Sequence, residues 1–167
     1  MSEAARAKAQ ARRATWLRWG LNIYPPYLGA GVRVRHISQD FRQAHVSMGL
    51  NRLNRNYVGT HFGGSLYSMV DPFYMLLLME CLGRDYFVWD KAAYIDFVAP
   101  GKGRVHAHFK IEQALLDDIR ARTADGDKYL PELEVQVVDD DGALVARIMK
   151  TLYVRQKPKA RNAQEAV

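Results

Sequence analysis

The sequence predicts an α+β domain: an antiparallel sheet of about six strands wrapped around one apolar central helix, with an extra helix at the N-terminus. Three observations predict it. First, the stretch Gly59–Gly83 ends in an apolar run in which Leu66, Met69, Val70, Phe73, Leu76, Leu77 and Cys81 recur at three- and four-residue steps. Met75, Leu78 and Met79 fill the remaining sides, and a helix that is apolar all round is a buried one. Second, the segments around it alternate apolar and polar residues with the period of two that marks a half-buried strand. Third, short turns separate these segments, which favours hairpins and an antiparallel sheet over parallel crossovers.

Residues 2–19 are mostly Ala, Arg, Lys and Gln and favour helix. Their charges at 6, 8, 12, 13 and 18 point all around the helical wheel, which argues against a helix lying on a membrane with one clean apolar face. Trp16, Leu17, Trp19 and Leu21 are therefore expected to dock this leader on the body. Tyr24-Pro25-Pro26-Tyr27 is expected to be extended, so residues 1–29 form a leader and linker. The domain proper is expected over 30–155. Val32–Ile37 and Gln43–Met48 read as a hairpin, and Asn51–Asn56 as a polar loop. Beyond Gly83, Tyr94–Ala99 is a strand ending at the turn Pro100–Gly103. Val105, Ala107, Phe109 and Ile111 alternate with His106, His108, Lys110 and Glu112. Gln113–Arg122 is a short helical insert. Leu133, Val135 and Val137 form one strand, and Asp140-Asp141-Gly142 turns it into a last long strand over 143–155. Residues 156–167 read as a basic, disordered tail.

The charge is informative by its placement. The chain carries a formal +6. Arg6, Lys8, Arg12, Arg13 and Arg18 against Glu3 give residues 1–20 a net +4. Arg155, Lys157, Lys159 and Arg161 against Glu165 give the last residues +3, which leaves the body at −1. A nucleic-acid-binding fold carries a basic stripe across its body, so nucleic acid is not an expected partner. The longest apolar run, Met75–Met79, is far short of a membrane span, and the N-terminus has no apolar signal core. Cys81 is the only cysteine, which suits a reducing, cytoplasmic setting. His106 and His108 share a strand face but have no evident third ligand, so no metal is expected; no cofactor is expected either.

Asp71 is the one carboxylate inside the apolar stretch, and Pro72 follows it. Two readings compete. Asp then Pro is a helix-start signal, with Asp71 as N-cap and the helix over Pro72–Leu82. Alternatively the helix begins near Gly64 and kinks at Pro72, where the proline cannot bond the Ser68 carbonyl.

The motif GTHFGGSLxxMxDPF (Gly59–Phe73), the strand YIDFVAPGKGRV (Tyr94–Val105) and the element order together resemble the hotdog-fold acyl-CoA thioesterase superfamily. The likeness lies near the phenylacetate-pathway thioesterase type and is greatest to an uncharacterised branch of thioesterase-like domains. It covers roughly residues 30–155. The resemblance favours the helix that begins near Gly64. It places Asn56 at the family's asparagine, Gly63 and Gly64 at its paired glycines, and Asp71 at its acid. The sequence departs at Phe62, where the family has a histidine; His61 stands one place earlier. The resemblance implies hydrolysis of acyl-CoA or acyl-carrier thioesters, with Asp71 as general base or nucleophile, Gly64 as backbone oxyanion donor and Asn56 as orienting group. His61, Phe62, Gly63, Ser65 and Ser68 would line the substrate site, and Arg55, Lys102 and Arg104 would meet the phosphates of coenzyme A. It also implies a homodimer or tetramer with sites at the subunit boundary. The alternative is a non-catalytic acyl-binding or scaffold protein, with Asp71 only a cap; a dehydratase would need a well-placed histidine that Phe62 replaces.

Overall fold

The computed structural model describes residues 2–158. The leader is a helix, α1 (Glu3–Ile23), capped by the Ser2 hydroxyl, which accepts from the Ala5 N–H. The expected extended linker is instead a short helix, α2 (Pro25–Ala30). Only Tyr24 is extended there, and the two prolines take the first helical positions, where a missing N–H costs nothing. Gly31 ends α2 with φ 77, and a side chain there would strike the Asn54 amide at 2.8 Å.

The strands are β1 (Val32–Ile37), β2 (Gln43–Gly49), β3 (Tyr86–Phe97), β4 (Arg104–Lys110), the two-residue β5 (Lys128–Tyr129), β6 (Glu132–Asp139) and β7 (Leu144–Gln156). They form one antiparallel sheet in the order β1-β2-β4-β6-β7-β3, with β5 paired to β7. The chain adopts the antiparallel α+β architecture that the residue pattern predicts and the hotdog fold that the resemblance implies. β3 is longer than expected and begins at Tyr86. Its first half does not alternate cleanly because a bulge between Asp90 and Ala92 shifts its phase against β7.

The central helix is broken, not merely kinked. α3 (Gly63–Ser68) and α4 (Phe73–Leu82) are joined by the turn 69–72. Asp71 N–H still bonds the Tyr67 carbonyl at 3.0 Å. Pro72, with no N–H to offer, then starts a new helix whose first interior bond runs from Leu76 to Pro72 at 2.8 Å. Asp71 thus lies in the break, one residue before the α4 cap, and makes no capping bond. Met69, Val70, Phe73, Leu77 and Leu78 are buried under the sheet. Phe73 and Tyr74 pack on Phe109, and the Tyr74 hydroxyl donates to the Glu134 carbonyl. The insert 113–123 is helix α5.

α1 docks on β1 through only two of the four residues expected to hold it. Ala14 is buried, and Leu17 and Leu21 pack on the core. The Asn22 amide brackets Val34, accepting from its N–H at 2.9 Å and donating to its carbonyl at 3.0 Å. Trp16 and Trp19 point the other way, 72% and 58% exposed. At the far end β7 continues through Gln156, and Lys157 N–H bonds the Asp85 carbonyl. Residues 159–167 of the expected disordered tail lie outside the described residues.

Candidate functional site

Asp71 has a partner that the local sequence does not announce. Lys150 Nζ lies 2.9 Å from Asp71 Oδ1, 3.1 Å from Asp90 Oδ1 and 3.2 Å from the Tyr67 hydroxyl oxygen, to which it donates. Burial and the neighbouring Asp71 raise the Tyr67 pKa above the usual tyrosine value. The Lys150 side chain is wholly buried, whereas that of Asp71 is 47% exposed. The cluster therefore has a sealed cation at its base and an open carboxylate at its surface. Lysine is almost never buried unless paired. Burial works against the Lys150 charge, but the bonds to Asp71 and Tyr67 and the charge of Asp90 outweigh it and lift its pKa above the usual lysine value. Asp90 also lies above the usual carboxylate value, because its burial outweighs the attraction of Lys150.

The other predicted residues gather elsewhere on the same protomer. A cavity of about 650 Å³ is lined by Asn56, Val58, His61, Gly63, Phe97 and Lys102, among others, and Asp71 is not one of its walls. The Asn56 amide is committed to its own loop. It donates to the Thr60 hydroxyl and the His61 carbonyl and accepts from the Thr60 N–H. His61 is buried, and its Nε2–H donates to the Gly103 carbonyl at 3.0 Å. That fixes the tautomer and leaves Nδ1 as an acceptor with no partner among the described residues. Burial depresses the His61 pKa, so this ring is a neutral acceptor at neutral pH.

The paired glycines make room for two aromatic rings. A Cβ on Gly63 would lie 2.9 Å from the Phe97 ring, and one on Gly64 would lie 2.4 Å from the Phe62 ring. Phe62 is exposed and folds over Gly64. Ser65 is buried and Ser68 half-buried on α3. Arg55 lines a neighbouring hollow with Arg52 and Tyr57. Lys102 stands at the rim of the main cavity, and Arg104 is exposed at the start of β4.

Lys150, Asp90 and Tyr67 complete the picture that Asp71 began. Tyr67 is visible in the sequence only as a polar group on the first helical turn. Lys150 did leave a signal: it stands in phase with Ile148, Leu152 and Val154, the inward face of β7. A lysine at an inward position calls for a buried acid.

Two other polar groups lie apart from this site. Cys81 is half-buried, its sulfur against the Phe41 carbonyl, and burial raises its pKa to about 11, so it is no nucleophile at neutral pH. On the sheet, His45 faces His108 ring on ring at 4.2 Å, and its Nε2 lies 3.1 Å from His106 Nδ1. His106 Nε2 bonds Asp140 at 2.7 Å. Among the described residues no group of three or more His, Cys, Asp or Glu side chains is arranged to hold a metal ion, and no helix is long and apolar enough to cross a membrane.

The fold is shared with solved structures of low sequence identity. A protein of unknown function from Pseudomonas aeruginosa, described as a probable thioesterase, aligns at TM-score 0.67 and 14% identity over 93% of this chain and 97% of its own. A thioesterase from Haemophilus influenzae aligns at TM-score 0.61 and 13% identity, covering 86% of this chain and 90% of its own. A protein of unknown function from Chlorobaculum tepidum aligns at TM-score 0.65 and 16% identity, covering 90% and 94%. No curated protein sequence matches the chain. Residues 13–154 match the family model of DUF4442, a domain of unknown function, and the chain belongs to that family.

Proposed function

We propose that this protein hydrolyses acyl thioesters, of coenzyme A or of a carrier protein, with Asp71 as the catalytic carboxylate. The observation that carries this reading is the exposed face of Asp71 above the buried Lys150. One carboxylate oxygen is tied to the ammonium, which orients the group, while nearly half of the side chain stays open to solvent and substrate. In the general-base route Asp71 takes a proton from a water whose oxygen adds to the thioester carbonyl. The tetrahedral intermediate then collapses, the C–S bond breaks, and the leaving sulfur takes the proton back from Asp71. In the nucleophilic route Asp71 oxygen itself displaces the thiolate, giving an anhydride that water then splits.

The Asn56–Gly63 cavity supplies the second half. Within one protomer it holds no acid, and Asp71 faces elsewhere, so the reading joins the two halves across a homodimer. β3 supports that assembly. It is the outer strand of the sheet, and Trp89, Tyr94 and Phe97 stand exposed along it. An open edge of this length is a template for pairing with another strand. In this reading the Gly64 N–H meets the oxyanion once the Phe62 ring swings aside. Asn56 acts by holding the loop 56–61 in shape, and His61 forms part of the cavity wall beside it. Ser65 and Ser68 lie along the same helix, and Arg55, Lys102 and Arg104 meet the phosphates.

A second reading, acyl binding without hydrolysis, is favoured by the full commitment of the Asn56 amide to its loop. Thiol release from a panel of acyl-CoAs, with calorimetric binding of the same ligands, separates the two. Hydrolysis by wild type that Asp71→Asn abolishes supports the first. Binding by both proteins with no thiol release by either supports the second.

A further inference from the structure

We propose that the outer face of α1 binds the surface of an anionic lipid bilayer. The face is built by Trp16, Trp19 and Ile23, which are 72%, 58% and 68% exposed. Their spacing of three and four residues puts them in one row along the helix. Lys8 and Arg12 continue that row toward the N-terminus at four-residue steps, and both are exposed. Tyr24, 50% exposed, and Leu28, 46% exposed, extend the apolar end onto α2.

The docking of α1 fixes which way this row looks. Ala14, Leu17, Leu21 and Asn22 hold the opposite face on the core and on Val34. The charges that seem to spoil the helical wheel are taken up by the body. Arg13 pairs with Glu80 at 2.7 Å, and Arg18 donates to the Arg35 carbonyl at 3.4 Å. Lys8 and Arg12 make no ion pair among the described residues. What points outward is thus a basic half followed by an aromatic half, with no acid between Ala4 and Ile23.

That combination selects its occupant. Indole rings favour the headgroup level of a bilayer, where the ring body is buried and the N–H stays wet. Lys and Arg beside them are drawn to anionic headgroups and can extend their charged ends while their stems lie in the interface. An acidic protein groove would match the cations but would leave two indoles without an apolar partner. The body of the chain carries net −1, so the attraction to such a surface does not come from the body. The helix lies on the bilayer and does not cross it. The inference rests on α1 alone and is independent of the role of Asp71.

The test is cosedimentation of the full-length protein with vesicles of phosphatidylcholine, with and without phosphatidylglycerol. Wild type is expected to sediment with the phosphatidylglycerol vesicles and to shift its tryptophan emission to the blue. Trp16→Ser/Trp19→Ser should weaken the partition about tenfold or more, and Lys8→Glu/Arg12→Glu should abolish the preference for anionic lipid. All four positions are exposed, so unchanged thermal unfolding checks that the variants are folded. Equal sedimentation with and without phosphatidylglycerol, or equal partition of wild type and the tryptophan variant, overturns the proposal. So does a change of oligomeric state in the tryptophan variant without vesicle binding by wild type, which would assign the face to a second copy of the chain.

Discussion

Lys150 Nζ sits 2.9 Å from Asp71 Oδ1, with the ammonium sealed in the core and the carboxylate half open to solvent. The two residues are far apart in sequence, one in the break of the central helix and one on the longest strand. Their contact ties that break to the sheet.

Replacing Lys150 should be the most damaging single change at this cluster. Lys150→Met removes the cation and leaves Asp90, which is largely buried, without its counter-charge. Breaking a buried pair from one side costs about 3–5 kcal/mol, so urea unfolding should show a loss of that size. Asp71→Asn should cost far less, about 1 kcal/mol, because the group is half exposed and Asp90 still faces the lysine. Equal losses for the two variants would mean that Lys150 is not held as described.

The histidine stack on the sheet makes acid stability a local property. Burial, followed by the neighbouring His108 and His106, lowers the His45 pKa from 6.5 to about 4. Between those values the unfolded chain binds a proton that the folded one refuses. The contribution of His45 is therefore fully present above pH 6.5 and is lost as the pH falls through about 4. His45→Gln should flatten the stability-versus-pH curve in that window, and NMR titration should show the His45 ring still neutral at pH 5. A His45 that titrates near 6.5 would contradict the stacked arrangement.

The open edge of β3 predicts its own disruption. Neighbouring N–H groups on a strand alternate between the paired side, here β7, and the open side. Of Ala93→Pro and Tyr94→Pro, one therefore loses an outward donor and the other loses a ladder bond to β7. We expect wild type to sediment as a dimer. One proline variant should become a folded monomer, and the other should lose thermal stability. Two variants that both stay dimeric and stable would move the subunit contact away from β3.

Much of the fold is legible in the residue pattern because its signals are local. The β1–β2 hairpin, the alternation of β4, β6 and β7, and the apolar helix each announce themselves within one segment. The failures are also physical. Tyr86–Ala93 hides as a strand because its bulge shifts the alternation. Trp16 and Trp19 look like core residues because an exposed indole is rare in a soluble helix. The acid Asp71 is legible, and Lys150 is legible as an inward lysine, but their pairing is not, since only the fold brings β7 beneath α3. His45 meets His108 through the β2–β4 register, which one sequence does not display.

The central claim is that Asp71 performs the chemistry. The most direct measurement is the steady-state release of free thiol from acyl-CoA substrates by wild type and Asp71→Asn, at equal concentrations of folded protein. If Asp71 is the base or nucleophile, the substitution should lower kcat about a hundredfold or more. Equal rates for the two proteins, or no release above buffer at any acyl length, would contradict the claim.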